Sequence, residues 1–395
     1  MSRFVLDHAT LWIGDGSAID GHVVIDGERI ERCGPGRYQG TLPTRDLEGM
    51  SLSPGMIDLM VMGGFGRSIL RDDAVALGRE YVRLGVTGCQ LCVGTLPQDA
   101  MGRVAENVRA GMASERHDAA GILGLYLEGP FQQPALTGGS MRDYALPVTE
   151  QNVRFVLDLG PAVTMVNVAP GIENDAAAVR RFREAGKTVS MAHSDAPADR
   201  VLACIEAGTS VLGHAWDNNA GRIGDSGVQQ PTLEHVALVD ERVRFLHLIC
   251  DGTHVDPLMI RLTLRCRGVE SICLVTDSNI RSGCADGEFV SDDGRTWCKR
   301  GGVIRTETGW LSGSALLLPD MFRNFVKFTG MRPEIAIRTV TFNPATCLGR
   351  EGDLGLLGAG RVADLVAWDE RLRVRGVWRA GHEVANVSDL SEVGL

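Results

Sequence analysis

The stretch VTMVNVAPGIENDAAAVRRFREAGKTVSMAH, residues 163–193, decides the fold. It opens on a short apolar run, Val163–Ala169, and closes on another, Thr188–His193. Between them Ala178, Phe182 and Ala185 recur at helical spacing, with Asn174 placed to cap the start and Gly186 the end. Strand, helix and strand in that order predict a right-handed βαβ unit with parallel strands.

The same alternation extends in both directions. Met56–Met62, Gly88–Thr95, Ile122–Glu128, Val211–His214, Phe245–Asp251 and Ile272–Asp277 are further apolar runs, with polar or glycine-rich turns and helix-like segments between them. Together they make eight candidate strands, and eight βα units predict an α/β chain closed as a (β/α)8 TIM-type barrel rather than an open sheet. The two ends read differently. Residues 3–52 hold strand-like pieces broken by Gly and Asp, such as His22–Ile25 followed by Asp26-Gly27. Val362–Trp368, Arg373–Trp378 and Ala380-Gly381 resemble them. The expectation is a barrel over residues 54–347 and a small β domain built from both chain ends, 1–53 plus 348–395.

The chain's 395 residues suit one large barrel plus a smaller domain. Its apolar fraction of 44% and charged fraction of 23% are those of an ordinary soluble protein, and no apolar run is long enough to span a bilayer. A net charge of −10 disfavours nucleic-acid and anionic-membrane partners, which need a basic surface; a small-molecule substrate is expected. Met1 to Gly14 carries Asp7 and His8 within its apolar stretch and lacks the pattern of a signal peptide, so the protein reads as cytoplasmic. Its ten scattered cysteines are then expected as free thiols. Cys89 and Cys92 form one Cys-x-x-Cys, but residues three apart on a strand face opposite sides and no second pair completes a zinc site; core packing is the better reading.

Parallel barrels put their chemistry at the carboxyl ends of the strands. Those ends hold Glu128, His193, His214 and Asp277. Singly, each is weak: a strand-end histidine is more often a hydrogen-bonded core residue than a ligand, Glu128 could be salt-bridged and Asp277 could cap a helix. Their coincidence on one rim is what packing does not require. A carboxylate and two imidazoles suit a catalytic zinc with one position left for water. Asp277 could take the proton from that water and give it to a leaving amine.

With those residues in view, the chain resembles the amidohydrolase superfamily, and within it the N-acetylglucosamine-6-phosphate deacetylase family. Leu52-Ser53-Pro54-Gly55-Met56-Ile57-Asp58 is similar to the start of the amidohydrolase barrel, and Leu127-Glu128-Gly129-Pro130-Phe131 to the deacetylase glutamate motif. Ala192-His193-Ser194-Asp195-Ala196 and Gly213-His214 resemble the two histidine motifs, and Asp251-Gly252-Thr253-His254-Val255-Asp256 the substrate-histidine motif. Leu274-Val275-Thr276-Asp277 resembles the catalytic aspartate motif; Leu311-Ser312-Gly313-Ser314 and the run from Gly355 to Leu365 also fit. The resemblance implies a homodimer that hydrolyses an acetamide to amine and acetate. It implies one divalent metal ion per subunit, zinc, held by Glu128, His193 and His214, with Asp277 as general base and then general acid. His254 would contact substrate, and Leu311 lies in a further substrate motif.

Four positions depart from the family. Met60 and Met62 stand where many amidohydrolases carry the His-x-His of a second metal, and thioethers are poor zinc ligands beside oxygen and nitrogen, so one ion is expected. Ser140 replaces a substrate-contacting histidine. Trp216-Asp217-Asn218-Asn219 stands in place of Tyr-Asn-Ala-Met, whose Asn-Ala backbone helps hold phosphate in relatives. Asp225 aligns with an arginine that reaches the partner subunit's phosphate in relatives, with Arg222 near enough to substitute. Asp217, Asn218, Ser140 and Arg222 are therefore candidate substrate contacts whose ligand is open: an N-acetylated amino sugar, with or without phosphate, or another N-acyl, cyclic amide or lactone substrate. A non-catalytic scaffold would be expected to lose its ligands first, and all are kept.

Overall fold

The computed structural model describes residues 3–137, 142–217, 222–223, 227–292 and 294–385, with backbone alone at 142, 222 and 223. All eight apolar runs are strands: Met56–Val61, Val86–Val93, Gly121–Phe131, Val163–Val168, Thr188–Met191, Val211–Leu212, Phe245–Leu248 and Ile272–Leu274. They pair in chain order as one parallel sheet. The sheet closes where the eighth strand returns to the first, through Met62 N–H to the Ser278 carbonyl (3.0 Å) and Ser278 N–H to the Met60 carbonyl (3.3 Å).

A buried carboxylate reinforces that seam. Asp58 accepts from Thr276 Oγ1 at 2.6 Å and from the Met60 and Thr276 N–H groups at 3.2 and 3.3 Å. Burial raises its carboxyl to about 6, with those three bonds pulling the other way.

Seven of the eight strands stop short of the apolar runs that foretold them. His193, His214 and Asp277 have φ of 54°, 22° and 49°, so the chain leaves extended geometry at or just before the residues of interest. Non-glycine residues occupy that region at a cost of roughly 1–3 kcal/mol each, typically at functional sites.

The helix between the fourth and fifth strands runs Asp175–Glu184. Gly186 ends it as expected, with φ 74° and its N–H on the Arg183 carbonyl. Asn174 does not cap it by its side chain: that amide donates to the Val148 carbonyl at 3.3 Å, and Asn174 itself is left-handed. A nearby backbone acceptor took the donor that an isolated helix would have left in water.

Both chain ends enter one eight-stranded sheet, Arg3–Trp12, Ala18–Asp26, Arg29–Pro35, Thr44–Asp46 and Ser51–Pro54 from the first, Leu365–Trp368, Val374–Arg379 and His382–Glu383 from the second. Leu6, Leu11, Ile25, Leu52 and Trp378 fill its core. Trp368 stacks on Trp12, donates its indole N–H to Ser53 Oγ at 2.8 Å within the sheet, and packs against Phe322 of the barrel, which ties the sheet to the barrel. A three-stranded antiparallel insertion, Gly287–Val290, Thr296–Arg300 and Val303–Thr306, follows the eighth barrel strand. The alternation that revealed the barrel does not disclose it.

Candidate active site

Glu128 lies within the third strand, which continues to Phe131; His193 and His214 follow the fifth and sixth. Glu128 Oε1 is 2.9 Å from His193 Nε2 and 2.8 Å from His214 Nε2, and the two Nε2 atoms are 3.0 Å apart. All three side chains are buried. Burial opposes charge on Glu128, but the two histidines outweigh it and hold the carboxyl well below its usual range. Burial likewise opposes the His214 imidazolium, and Glu128 overcomes that to raise it to about 10.

His193 Nδ1 lies 2.7 Å from the Leu136 carbonyl, which fixes Nδ1 as the donor and turns the Nε2 lone pair toward Glu128 and His214. Two imidazole nitrogens and a carboxylate oxygen then face one another at close range. Three potential ligand atoms so close together are placed where one cation could bridge them, and the donor set is that of catalytic zinc.

Asp277 is buried beside this cluster, and its Oδ1 has no hydrogen-bond partner among the described residues. Burial and the Glu128 carboxylate push its carboxyl well above the usual range, against the pull of His214 and His254. Gly313 presses on its backbone: a Cβ there would lie 2.2 Å from the Asp277 carbonyl, and φ is 60°. Asn279 Nδ2 donates to the neighbouring Ser312 carbonyl at 2.5 Å. Leu311 is held against Arg305 by a β-bridge and leads into this contact.

His254 is clamped by Asp251, the first residue of its own motif, to which the sequence reading gave no role. Its Nδ1 is 2.7 Å from Asp251 Oδ2, which also accepts from Ser314 Oγ at 3.0 Å. Asp251 Oδ1 takes the Thr253 and His254 N–H groups, both at 2.8 Å. His254 Nε2 is left buried without a partner among the described residues. Burial disfavours the imidazolium, but Asp251, with Asp217 and Asp277 behind it, raises the pKa above that of free histidine. The spacing Asp-x-x-His in a turn was the signal available for this pair.

Asp217 is half-buried, with its N–H on the His214 carbonyl at 3.1 Å. Its charge lies near enough to act on His214, His254 and Asp277 together. Ser140, Asn218, Asp225 and the side chain of Arg222 lie outside the described residues. Met60 is buried and Met62 half-buried at the end of the first strand. The other potential metal cluster among the described residues, Glu28, His117 and His382, is on the surface with its two rings stacked at 3.9 Å.

A closed barrel carrying Glu, His, His and a lone Asp on its carboxyl rim is an amidohydrolase arrangement, and the amidohydrolase family profile matches residues 86–384. The chain belongs to the amidohydrolase family and is a hydrolase of carbon–nitrogen bonds. It is 31% identical over 339 residues to the N-acetylgalactosamine-6-phosphate deacetylase of Escherichia coli O157:H7, covering 84% of this chain and 86% of that one. It is 29% identical to the N-acetylglucosamine-6-phosphate deacetylase of Vibrio furnissii, over 90% of this chain and 87% of that one. The crystal structure of the N-acetylglucosamine-6-phosphate deacetylase of Pasteurella multocida superposes with a TM-score of 0.89 at 25% identity, over 97% of this chain and 100% of that one.

Proposed function

We propose that this amidohydrolase removes the acetyl group from an N-acetylated amino sugar. The observation that carries the reading is the convergence of Glu128, His193 and His214 within 3.0 Å beside Asp277 Oδ1, which has no hydrogen-bond partner among the described residues. The resemblance to amino-sugar-phosphate deacetylases over most of the chain supports the substrate class.

Glu128, His193 and His214 would hold one divalent ion, zinc by the chemistry of the donors. Such an ion acidifies water and polarises an amide carbonyl. Asp277 Oδ1 is the proton acceptor when water attacks, and its proton then passes to the departing amine nitrogen. His254, whose imidazolium Asp251 favours against burial, presents Nε2–H to a substrate oxygen, a charge-assisted bond stronger than one from a neutral donor when the ring is charged. Leu311, Ser140, Asn218 and Arg222 complete the substrate contacts in this reading.

In the same reading the enzyme is a cytoplasmic homodimer. The thiols among the described residues are all free, as a reducing compartment requires. Val239, Leu258 and Leu262 expose apolar side chains on neighbouring helices, a surface suited to a second copy. No helix among the described residues is long and apolar enough to cross a membrane.

A second reading rests on Asp217. A carboxylate acting on the same groups that face the substrate is out of place beside a phosphate dianion, which favours an unphosphorylated N-acyl substrate. The test of the main reading is release of amine and acetate by zinc-loaded protein from N-acetylglucosamine and N-acetylgalactosamine, each with and without a 6-phosphate. Turnover of none of the four would overturn it.

A further inference from the structure

We propose that a cavity beside the Glu128, His193 and His214 cluster is a subsite for a neutral acyl group longer than acetyl, which rests on the amino-sugar amide hydrolysis read above and changes only the acyl group removed. The cavity measures about 120 Å3. Its apolar wall is formed by Met62, Ile69, Leu70, Val93, Leu96 and Trp297, from the ends of the first two barrel strands, the loops beyond them, and the three-stranded insertion.

It shares a wall with the site. Thr95 lines it, and the Thr95 backbone packs so closely on Gly129, next to Glu128, that a Cβ there would lie 2.8 Å from Thr95 Cα. Asn279 lines it two residues after Asp277. Cys92 lines it too, and its thiol lies close enough to feel both the Glu128 and Asp277 carboxylates. A group attached to a carbonyl carbon between those carboxylates therefore has this cavity as a neighbour.

The walls select for what enters. Apolar cavities of roughly 150 Å3 accept molecules of benzene's size, so an acyl chain of about three to six carbons fits. An acetyl methyl would leave most of the space unfilled. Asp292, also in the lining, is committed to an ion pair with Arg71 and a hydrogen bond from Ser68, and it would repel an acyl chain ending in a carboxylate. Trp297 Nε1 is buried with no partner among the described residues, leaving one donor for a polar atom along the chain. Each methylene moved from water into this wall is worth about fourfold in binding. The reaction is unchanged in kind: the amide C–N bond breaks, water oxygen joins the acyl carbon, and the products are the free amine and a longer carboxylic acid.

The experiment is an acyl-length series, N-acetyl, N-propionyl, N-butyryl and N-hexanoyl, on one amino sugar with and without a 6-phosphate, read as released amine. The expected result is a kcat/KM for the butyryl compound at least tenfold above acetyl. Leu70→Trp and Met62→Phe, which intrude on the cavity, should lower the butyryl rate at least tenfold more than the acetyl rate. A steady fall from acetyl onward, unaltered in shape by either variant, overturns the proposal and leaves the deacetylase reading standing. If no acylated amino sugar is turned over, that reading fails, and tryptophan fluorescence decides the cavity alone. Butyramide should then give a saturable emission change that acetamide does not and that Trp297→Phe abolishes; no such change overturns the proposal.

Discussion

Asp251 Oδ2 accepts from His254 Nδ1 at 2.7 Å and from Ser314 Oγ at 3.0 Å, so one carboxylate orients the histidine and the loop that packs on Asp277. Asp251→Asn should lower kcat/KM about 10- to 100-fold, the usual range for losing a partner that orients a functional histidine. Bound metal should be unchanged. The pH profile carries the distinctive signature. The His254 pKa is raised in the folded protein, so its imidazolium is present below that pKa and lost as pH rises through it. Removing Asp251 lowers that pKa, and the alkaline limb of kcat/KM should move to lower pH. A uniform loss at all pH values, with the limb unmoved, would show that Asp251 serves packing only.

Asp277→Asn should remove turnover while metal and substrate still bind. Asparagine keeps the shape but cannot accept the water proton, and a positioned general base contributes about 100- to 10,000-fold. The check is kcat beside metal content and the affinity of a non-hydrolysed substrate analogue. Near-normal kcat would assign the proton to another group.

One divalent ion per subunit should survive gentle purification, and a chelator should abolish activity that one equivalent of zinc restores. His193→Ala and His214→Ala should each lose the ion, while Met60 and Met62 offer no second site. At a thousandfold excess of metal over its Kd, the loaded protein should be more stable by roughly 4 kcal/mol, seen as a rise in Tm. Two equivalents that resist dialysis would refute the single-site reading.

The barrel was legible because its strands are buried on both faces and so read as mainly apolar runs, Ile272–Leu274 throughout and Val163–Val168 with only Thr164 and Asn167 polar. Glu128, His193, His214 and Asp277 were legible because a parallel barrel sends every strand end to one rim. What hid was tertiary. The left-handed backbone at His193 and Asp277 leaves no mark in residue type, since glycine would have announced the turn and histidine and aspartate do not. The Asp251 clamp spans three residues in a loop without periodicity, and its Ser314 partner is 63 residues away. The insertion at 287–306 consists of three short strands, with too little alternation to separate it from a long loop.

The last prediction concerns the end of the substrate far from the scissile amide: activity should not depend on a 6-phosphate. A phosphate carries close to two negative charges at neutral pH, so its site gathers backbone donors and cations and excludes carboxylates. Asp217 follows His214 in a turn, its N–H on the His214 carbonyl, and its charge acts on both His254 and Asp277. That puts its charge within reach of the groups read here as facing the substrate. A carboxylate there should cost about one to a few kcal/mol of phosphate affinity in a half-buried pocket. The same group can accept hydrogen bonds from sugar hydroxyls, which gives it a use with a neutral substrate. Asp217→Asn should therefore raise the ratio of kcat/KM for N-acetylglucosamine 6-phosphate over N-acetylglucosamine about tenfold, and the ratio in the unaltered enzyme should be near or below one. An unaltered enzyme that prefers the phosphorylated sugar a hundredfold, with a ratio insensitive to Asp217→Asn, would mean that cations elsewhere in the loop govern recognition and that Asp217 has no part in it.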